Sequence, residues 1–416
     1  MAVNMKSLLW SAIVLPVSLF AAARPHLECT TDRPAVSYAC GETATFTFTQ
    51  HATNGLTLAW KVEPDYGRPS FGTGDVVKVS LDRPGFVRVS VTAGEGKKAL
   101  RYTASAAFDF AKILPSYEPP KDFAAFWKER TDAIRAFGFR PELEEIASPT
   151  EGVALYKVKM PVVRQGRFVT GYLSVPKDAS KKYPAEANFF GSNESWATST
   201  RNPPTKCPTD RILFRVMSHP FEVGRDEAYY RQVGHDLRSN GFSIGFDPRQ
   251  NADPDTCYFV GMALRDATAV SYLKTRPEWN GKDLVVRGFS QGGLQTSWMG
   301  ALVEGVTELK VASPWLCDLY GFKTGRVPPA RDHGEYAEFD PGLAYIDPCF
   351  MPRLYPKTLR VDLTRAGLAD TCCPPSGLAS YYNSIKGAKS VDWWQGASHS
   401  GNPHNGQHCV LKEEMK

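Results

Sequence analysis

A short apolar run at residues 284–286 leads into Gly288-Phe289-Ser290-Gln291-Gly292-Gly293 and then into a helix-compatible segment over residues 294–303. A chain that passes so abruptly from strand to helix needs glycines on both sides of the turning residue, because the strained backbone leaves no room there for Cβ atoms. The turn holds its central residue out at the end of the strand. Here that residue is Ser290, which the pattern presents as a nucleophile. Gly-x-Ser-x-Gly is also compatible with a glycine-rich turn between two ordinary elements. The rest of the chain has to supply the partners that a nucleophile requires.

Around this turn the sequence alternates between strand and helix patterns. Residues 154–160 and 168–175 read as strands, the second closed by Pro176, and residues 185–190 form another that ends at Gly191. A helix over residues 225–240, stopped by Gly241, leads to a strand-like stretch at 242–247. A second helix, over 262–276, closes at Pro277 and feeds the strand before Ser290. Beyond the nucleophile come strands at 309–312 and 358–363, a helix at 377–386 and a strand at 390–394. Such alternation predicts an α/β architecture, a mostly parallel sheet covered by helices on both faces. Active sites in such sheets lie beyond the carboxyl ends of the strands.

The preceding part of the chain is different. Residues 43–48, 56–62, 76–81 and 86–91 have period-two character, with Gly41, Gly55, Pro64, Gly74 and Pro84-Gly85 punctuating the gaps. Short strands at this spacing predict a small all-β, immunoglobulin-like sandwich over residues 24–111, with Trp60 as a core residue. No residue pattern there points to catalysis. Pro115, Pro119 and Pro120 stiffen a boundary before Asp122 can cap a helix over 122–137, whose Phe123, Phe126, Trp127 and Ile134 fall at core-facing spacing. The α/β domain then runs over residues 112–416. A 416-residue chain that is 42% hydrophobic can support two such cores.

At the amino terminus, Lys6, an apolar stretch at 8–20 and Ala21-Ala22-Ala23 have the layout of a signal peptide over residues 1–23. The alternative, a membrane anchor, needs an apolar run of about 20 residues, longer than this one. The expectation is a secreted or periplasmic protein with no membrane partner after signal removal. The 49 basic and 44 acidic residues are interspersed, so nucleic acid is not an expected partner either. Export permits disulfides among the nine cysteines, and Cys29 with Cys40 or Cys207 with Cys257 are the candidate pairs. The cysteines lack zinc spacing, so no metal and no cofactor are expected.

If Ser290 is a nucleophile, it needs a base and a carboxylate to orient that base. In a sheet of this type the expected chain order is Ser, then Asp or Glu, then His. His399 follows the strand-like Val391-Asp392-Trp393-Trp394 in a glycine-containing loop at a carboxyl end, and His408, His404 and His333 are the alternatives. Asp370 follows the strand at 358–363 in a turn, with Asp318 and Asp347 as competitors. The placements converge on Ser290, Asp370 and His399 as catalytic residues. An oxyanion hole would combine the backbone N–H of Gln291 with one from the loop after an early strand, where Ser192 fits.

From about residue 116 to His399 the chain resembles the acetyl xylan esterase and cephalosporin C deacetylase group, carbohydrate esterase family seven, of the α/β-hydrolase fold. The matching pieces are Asp122-Phe123-Ala124-Ala125-Phe126-Trp127, Leu264-Arg265-Asp266-Ala267 with Arg276-Pro277-Glu278, the segment around Ser290, Leu316-Cys317-Asp318, and Gly367-Leu368-Ala369-Asp370-Thr371-Cys372-Cys373-Pro374-Pro375. Carried over by position, the resemblance implies the same triad, with Gln291 and Ser192 in the oxyanion hole. It implies a serine carboxylester hydrolase that removes acetyl groups from acetylated xylan or xylo-oligosaccharides through an acyl-enzyme. It also implies a homo-oligomer, hexamers being common in that family. The chain departs from the family at Phe289, where glycine is usual, and at Phe190-Gly191-Ser192 and Arg249-Gln250-Asn251. These departures bear on substrate preference. They leave open an esterase or peptidase for other substrates, and a non-catalytic glycan-binding protein is the reading from another class.

Overall fold

The computed structural model describes residues 24–34, 36–53, 55–191, 198–237, 242, 244–329, 340–399 and 408–415. The expected signal peptide lies outside the described residues. Eight strands come first: β1 (His26–Thr31), β2 (Ser37–Tyr38), β3 (Ala44–His51), β4 (Leu58–Pro64), β5 (Ser70–Thr73), β6 (Val76–Val79), β7 (Gly85–Ala93) and β8 (Leu100–Phe108). They form one sheet of order β1-β3-β6 and another of order β2-β8-β7-β4-β5. Alternate residues of both sheets, among them Phe46, Phe48, Val89, Ala104 and Phe108, meet in one apolar core. Trp60 is only half-buried and packs at the margin of that core. β8 lies in a stretch the period-two reading passed over, because Ala104, Ser105, Ala106 and Ala107 are too small to mark an apolar face.

Helix α1 (Phe123–Phe137) follows, with Phe123, Phe126, Trp127 and Ile134 buried as its spacing predicts. Asp122 stands at the helix start but its side chain makes no cap bond, and its carboxylate accepts from the Tyr345 hydroxyl at 2.6 Å instead. The remaining strands are β9 (Glu142–Ile146), β10 (Val153–Pro161), β11 (Phe168–Pro176), β12 (Tyr183–Phe189), β13 (Ile212–Met217), β14 (Trp279–Phe289), β15 (Glu308–Ala312), β16 (Arg360–Gly367), β17 (Lys389–Gln395) and β18 (His408–Met415). They make one ten-stranded sheet of order β18-β17-β16-β15-β14-β12-β13-β11-β10-β9. The sheet is mixed rather than mostly parallel. Its centre, from β13 through β12 to β17, is parallel, while β18 at one edge and β11, β10 and β9 at the other pair antiparallel.

The helices between these strands are α2 (Thr198–Arg201), α3 (Glu227–Leu237), α4 (Pro248–Asn251), α5 (Tyr258–Leu273), α6 (Gln291–Leu302) and α7 (Pro375–Ser384). The central pair, α5 and α6, is buried almost throughout, polar residues such as Arg265, Asp266, Gln295 and Thr296 included. Residues 242–247, expected as a strand, form none among those described. Gly245 takes a left-handed φ of +84° and turns the chain toward α4, and Phe246 packs on Phe259 of α5 with ring centroids 5.4 Å apart. The place beside β12 is taken by β13, which was not anticipated.

Neither candidate pair is joined, and all four cysteines are free thiols. Cys29 points into the amino-terminal core, whereas Cys40 is half-exposed with its thiol bonded to Asp109. Cys207 belongs to a satellite core under β10 and β11, and Cys257 belongs to the main core. Alkylation of the unfolded, unreduced protein should therefore label all four, and recovery of a 29–40 or 207–257 linked peptide by mass mapping would contradict this arrangement.

Candidate active site

Ser290 is the single residue between β14 and α6. Its φ of +59° and ψ of −118° lie where residues with a Cβ are rare. The glycines beside it are required by space. A Cβ on Gly288 would stand 2.2 Å from the carbonyl oxygen of Gly292, and one on Gly292 would stand 2.5 Å from that of Phe189. Three backbone bonds hold the turn: Ser290 N–H donates to Ala312 O at 2.9 Å, and Ser290 O accepts from Leu294 N–H at 3.0 Å and Trp315 N–H at 3.1 Å.

Because β14, β15, β16 and β17 run parallel, their carboxyl ends open on one side of the sheet. Asp370 lies in the loop after β16 and His399 in the loop after β17. The structure brings these two together with Ser290. His399 Nε2 is 2.9 Å from Ser290 Oγ, and His399 Nδ1 is 2.9 Å from Asp370 Oδ2. An ionised carboxylate only accepts, so Nδ1 carries the proton and Nε2 is left to accept from the serine hydroxyl. Asp370 is fully buried, and its second oxygen accepts from the N–H groups of Cys372 and Cys373, both at 2.8 Å. It does not cap α7, whose N-cap position is Pro374.

The electrostatics of His399 follow from this seat. Burial disfavours the imidazolium, but the hydrogen bond to Asp370 and the neighbouring Cys372 sulfur outweigh it, so His399 titrates above the ordinary 6.5. Phe289, the residue before Ser290, stacks on the His399 ring with centroids 4.9 Å apart, and the Arg365 guanidinium lies 5.0 Å from the Phe289 centroid. Arg365 reaches that place because the β16–β17 register shifts between Leu363 and Ala366, at a positive φ of 57° for Arg365.

The competing carboxylates are engaged elsewhere. Asp318 is buried, paired with Arg326 at 2.5 Å, and accepts from Ser116 Oγ at 2.7 Å. Asp347 accepts from the Cys349 and Leu319 N–H groups and from the Tyr117 hydroxyl. His333 and His404 lie outside the described residues, and His408 falls in β18.

Gln291 is the first residue of α6, so its N–H has no partner within the helix. Ser192, the other expected donor, lies outside the described residues. One group was missed by the sequence reading: His219, just beyond β13. Its Nε2 accepts from Gln291 Nε2 at 3.1 Å, leaving Nδ1–H for the Tyr258 hydroxyl at 2.6 Å. Burial, helped by Arg265, pulls the His219 pKa down to about 3, so the ring is neutral and serves as a fixed hydrogen-bonding block behind Gln291. The signal for it was the apolar run Ile212-Leu213-Phe214-Arg215-Val216-Met217, which marks a strand whose carboxyl end delivers His219 to the same side of the sheet.

Cys372, Cys373 and His399 offer two sulfurs and a ring nitrogen within 4.8 Å of one another. Both His399 nitrogens are already committed to Asp370 and Ser290, so an ion here would compete with that arrangement.

The family model described as "Acetyl xylan esterase (AXE1)" matches residues 109–412. The chain is similar to the acetyl esterase Axe7A of Xylanibacter ruminicola, at 23% identity over 357 residues that cover 80% of this chain and 77% of that protein. Among solved structures it is similar to the acetyl xylan esterase from Paenibacillus sp. R4, with a TM-score of 0.54 at 18% identity, covering 71% of this chain and 94% of that one. It is also similar to acetyl xylan esterase 1 from Thermoanaerobacterium sp. JW/SL YS485, with a TM-score of 0.53 at 20% identity, covering 71% and 93%. At such identities the structural likeness shows the fold, that of α/β-hydrolase-type esterases with a large mixed sheet.

The glycine requirement is open to a direct check. Gly288→Ala places a methyl group against the Gly292 carbonyl and should cost about 1–3 kcal/mol as overpacking, seen as a lower thermal midpoint. An unchanged midpoint would contradict this close approach.

Proposed function

The chain belongs to the acetyl xylan esterase family, and on that premise we propose that this serine esterase removes acetyl groups from acetylated xylan or xylo-oligosaccharides, with Ser290 as nucleophile, His399 as base and acid, and Asp370 as the group that orients it. The observation that carries the reading is the continuous hydrogen-bonded line from Asp370 through His399 to Ser290 at the strand–helix turn. Ser290 Oγ attacks the acetyl carbonyl as His399 Nε2 takes its proton, and the imidazolium so formed is held by the Asp370 carboxylate. The carbonyl oxygen becomes negative and accepts from the Gln291 N–H and from a second donor in the loop after β12, for which Ser192 is the candidate. Backbone donors suit this step because they are fixed before charge develops. Collapse of the tetrahedral species breaks the bond to the sugar oxygen, which takes the proton from His399 and leaves as the hydroxyl. Water, activated by the same ring, then releases acetate and restores Ser290.

Phe289 bears on specificity. Its ring is stacked on His399 and so forms part of the wall beside the nucleophile, where the departure from glycine would narrow the space for the acyl group. Residues 1–23 are read as an export signal, giving a secreted or periplasmic enzyme that meets its polysaccharide outside the cytoplasm.

A hydrolysis panel tests the function. Wild type should release acetate from acetylated xylan and discriminate against longer acyl esters and peptides, and Ser290→Ala should reduce turnover to background. Retained activity in Ser290→Ala would sink the nucleophile assignment, and equal or better cleavage of peptides or long-chain esters would sink the substrate. Asp370→Asn should lower kcat by about four orders of magnitude, through loss of the Nδ1–H tautomer.

The pH dependence has a definite sign. Only neutral His399 can accept the serine proton, and its pKa is raised above 6.5. The ascending limb of kcat/KM against pH should therefore lie above 6.5, and Cys372→Ala, which removes one of the raising partners, should move it to lower pH. A limb at or below 6.5 in the wild type, or an upward move in the variant, would contradict this.

A further inference from the structure

The geometry points to the amino-terminal sheets as a working part of the esterase, with Ser105 and Gln395 as positioning residues that lock the Asp370 loop and the His399 loop to each other. This rests on the reading of Ser290, Asp370 and His399 as the reacting set. β1 to β8 all precede residue 109, where the family match begins, so this support comes from outside the shared esterase core.

The contact is made at an open stretch of sheet edge. β2 pairs with β8 only at Ala107 and Phe108, and β8's other neighbour, β7, lies on its far side. Beside Ser105 the edge is therefore free to bond something else, and that partner is the Gln395 side chain. Ser105 N–H donates to Gln395 Oε1 at 2.9 Å, and Gln395 Nε2 donates to Ser105 O at 2.9 Å. A primary amide thus takes the place of a neighbouring strand, and Gln395 is the last residue of β17, four residues before His399. The Ser105 hydroxyl meanwhile donates to Leu368 O at 2.6 Å, two residues before Asp370. Ser105, Gln395 and Leu368 are all about 1% exposed, so water cannot replace these bonds if one partner is removed.

The two loops are also laced directly to each other. Leu368 N–H donates to Trp394 O at 2.9 Å, and Ala369 N–H donates to Ala397 O at 3.0 Å. A Cβ on Gly367 would stand 2.3 Å from Ala397 O, so the loops touch backbone to backbone. Tyr102 of β8 presses on the same place: a Cβ on Gly396 would stand 2.5 Å from its hydroxyl oxygen. Trp393 of β17 packs against Phe86 of β7 and Phe110, with centroids 5.9 and 5.7 Å away. One strand of the amino-terminal sheets thus reaches both segments whose relative placement sets the 2.9 Å contact of Asp370 with His399.

A displacement of reacting groups by about 1 Å can cost on the order of 100-fold in turnover, while a group that only positions the triad leaves substrate binding alone. Gln395→Met keeps the bulk of the side chain and removes the amide. In the full-length enzyme it should lower kcat on a simple acetyl ester about 10- to 100-fold with KM nearly unchanged, and should speed amide hydrogen exchange in peptides covering 366–373 and 395–399. Ser105→Ala should act in the same direction more weakly, with Ser105→Thr restoring turnover. Wild-type kcat in both Gln395→Met and Ser105→Ala would overturn the proposal, even if their thermal midpoints fall. A lower kcat without faster exchange in those peptides would overturn it too. Should Gln395→Met fail to fold, the Ser105 pair carries the same two readings. Full turnover in Ser290→Ala would sink the triad reading and this proposal with it, whereas normal turnover in the brace variants beside an inactive Ser290→Ala would sink this proposal alone.

Discussion

Ser290 occupies a backbone conformation that costs on the order of 1–3 kcal/mol for a residue with a side chain, and the surrounding structure is arranged to hold it there. β14 is flanked by β12 and β15 in the middle of a ten-stranded sheet, so the strain is borne where the backbone is least free to relax. The Ala312 carbonyl fixes the serine N–H, and Leu294 and Trp315 fix its carbonyl. The neighbouring glycines let the Phe189 and Gly292 carbonyls come within what would be clashing distance of any Cβ. What emerges is a hydroxyl held at the amino terminus of a buried helix, with no freedom to turn back into the sheet.

The remaining site groups are placed by the parallel centre of the sheet. Parallel neighbours end on the same side, so the loops after β14, β16 and β17 converge without any long excursion. Asp370 is fixed by two N–H groups of its own turn, and His399 is then fixed by Asp370 on one nitrogen and by Phe289 against its face. The same carboxylate that orients the ring also favours its charged form, so geometry and proton affinity have a common source. The amino-terminal strands join this system through Ser105 and, at a second junction, through Asp65 and Tyr66. There Val327 N–H donates to Asp65 at 2.9 Å and Arg326 Nε donates to the Tyr66 hydroxyl at 2.8 Å.

What could be read in the sequence was what is local. The glycine pattern at Ser290 reports a backbone constraint within five residues, and Asp370 and His399 each follow an apolar run whose end is visible in the sequence. The α1 face was legible for the same reason, since Phe123, Phe126, Trp127 and Ile134 repeat at helical spacing. Residues 242–247 misled because their alternation says nothing of the left-handed Gly245 that breaks the strand. The cysteine pairs misled because export permits disulfides without bringing any two sulfurs together. His219 was marked only by the apolar run before it, and Ser105 and Gln395 carry no signal of their own. Ser105 and Gln395 are 290 positions apart, and a small polar residue in a strand and a glutamine at a strand end become informative only once the fold joins them.

In the proposed mechanism Ser290 is an activated nucleophile because His399 and Asp370 are aligned behind it. The most direct measurement is to treat the folded protein with a fluorophosphonate and locate the covalent adduct by peptide mass mapping. Stoichiometric phosphonylation of Ser290, greatly slowed when Asp370 is replaced by Asn, is the result expected. An unmodified Ser290, or an adduct on another residue while Ser290 stays free, would contradict that activation.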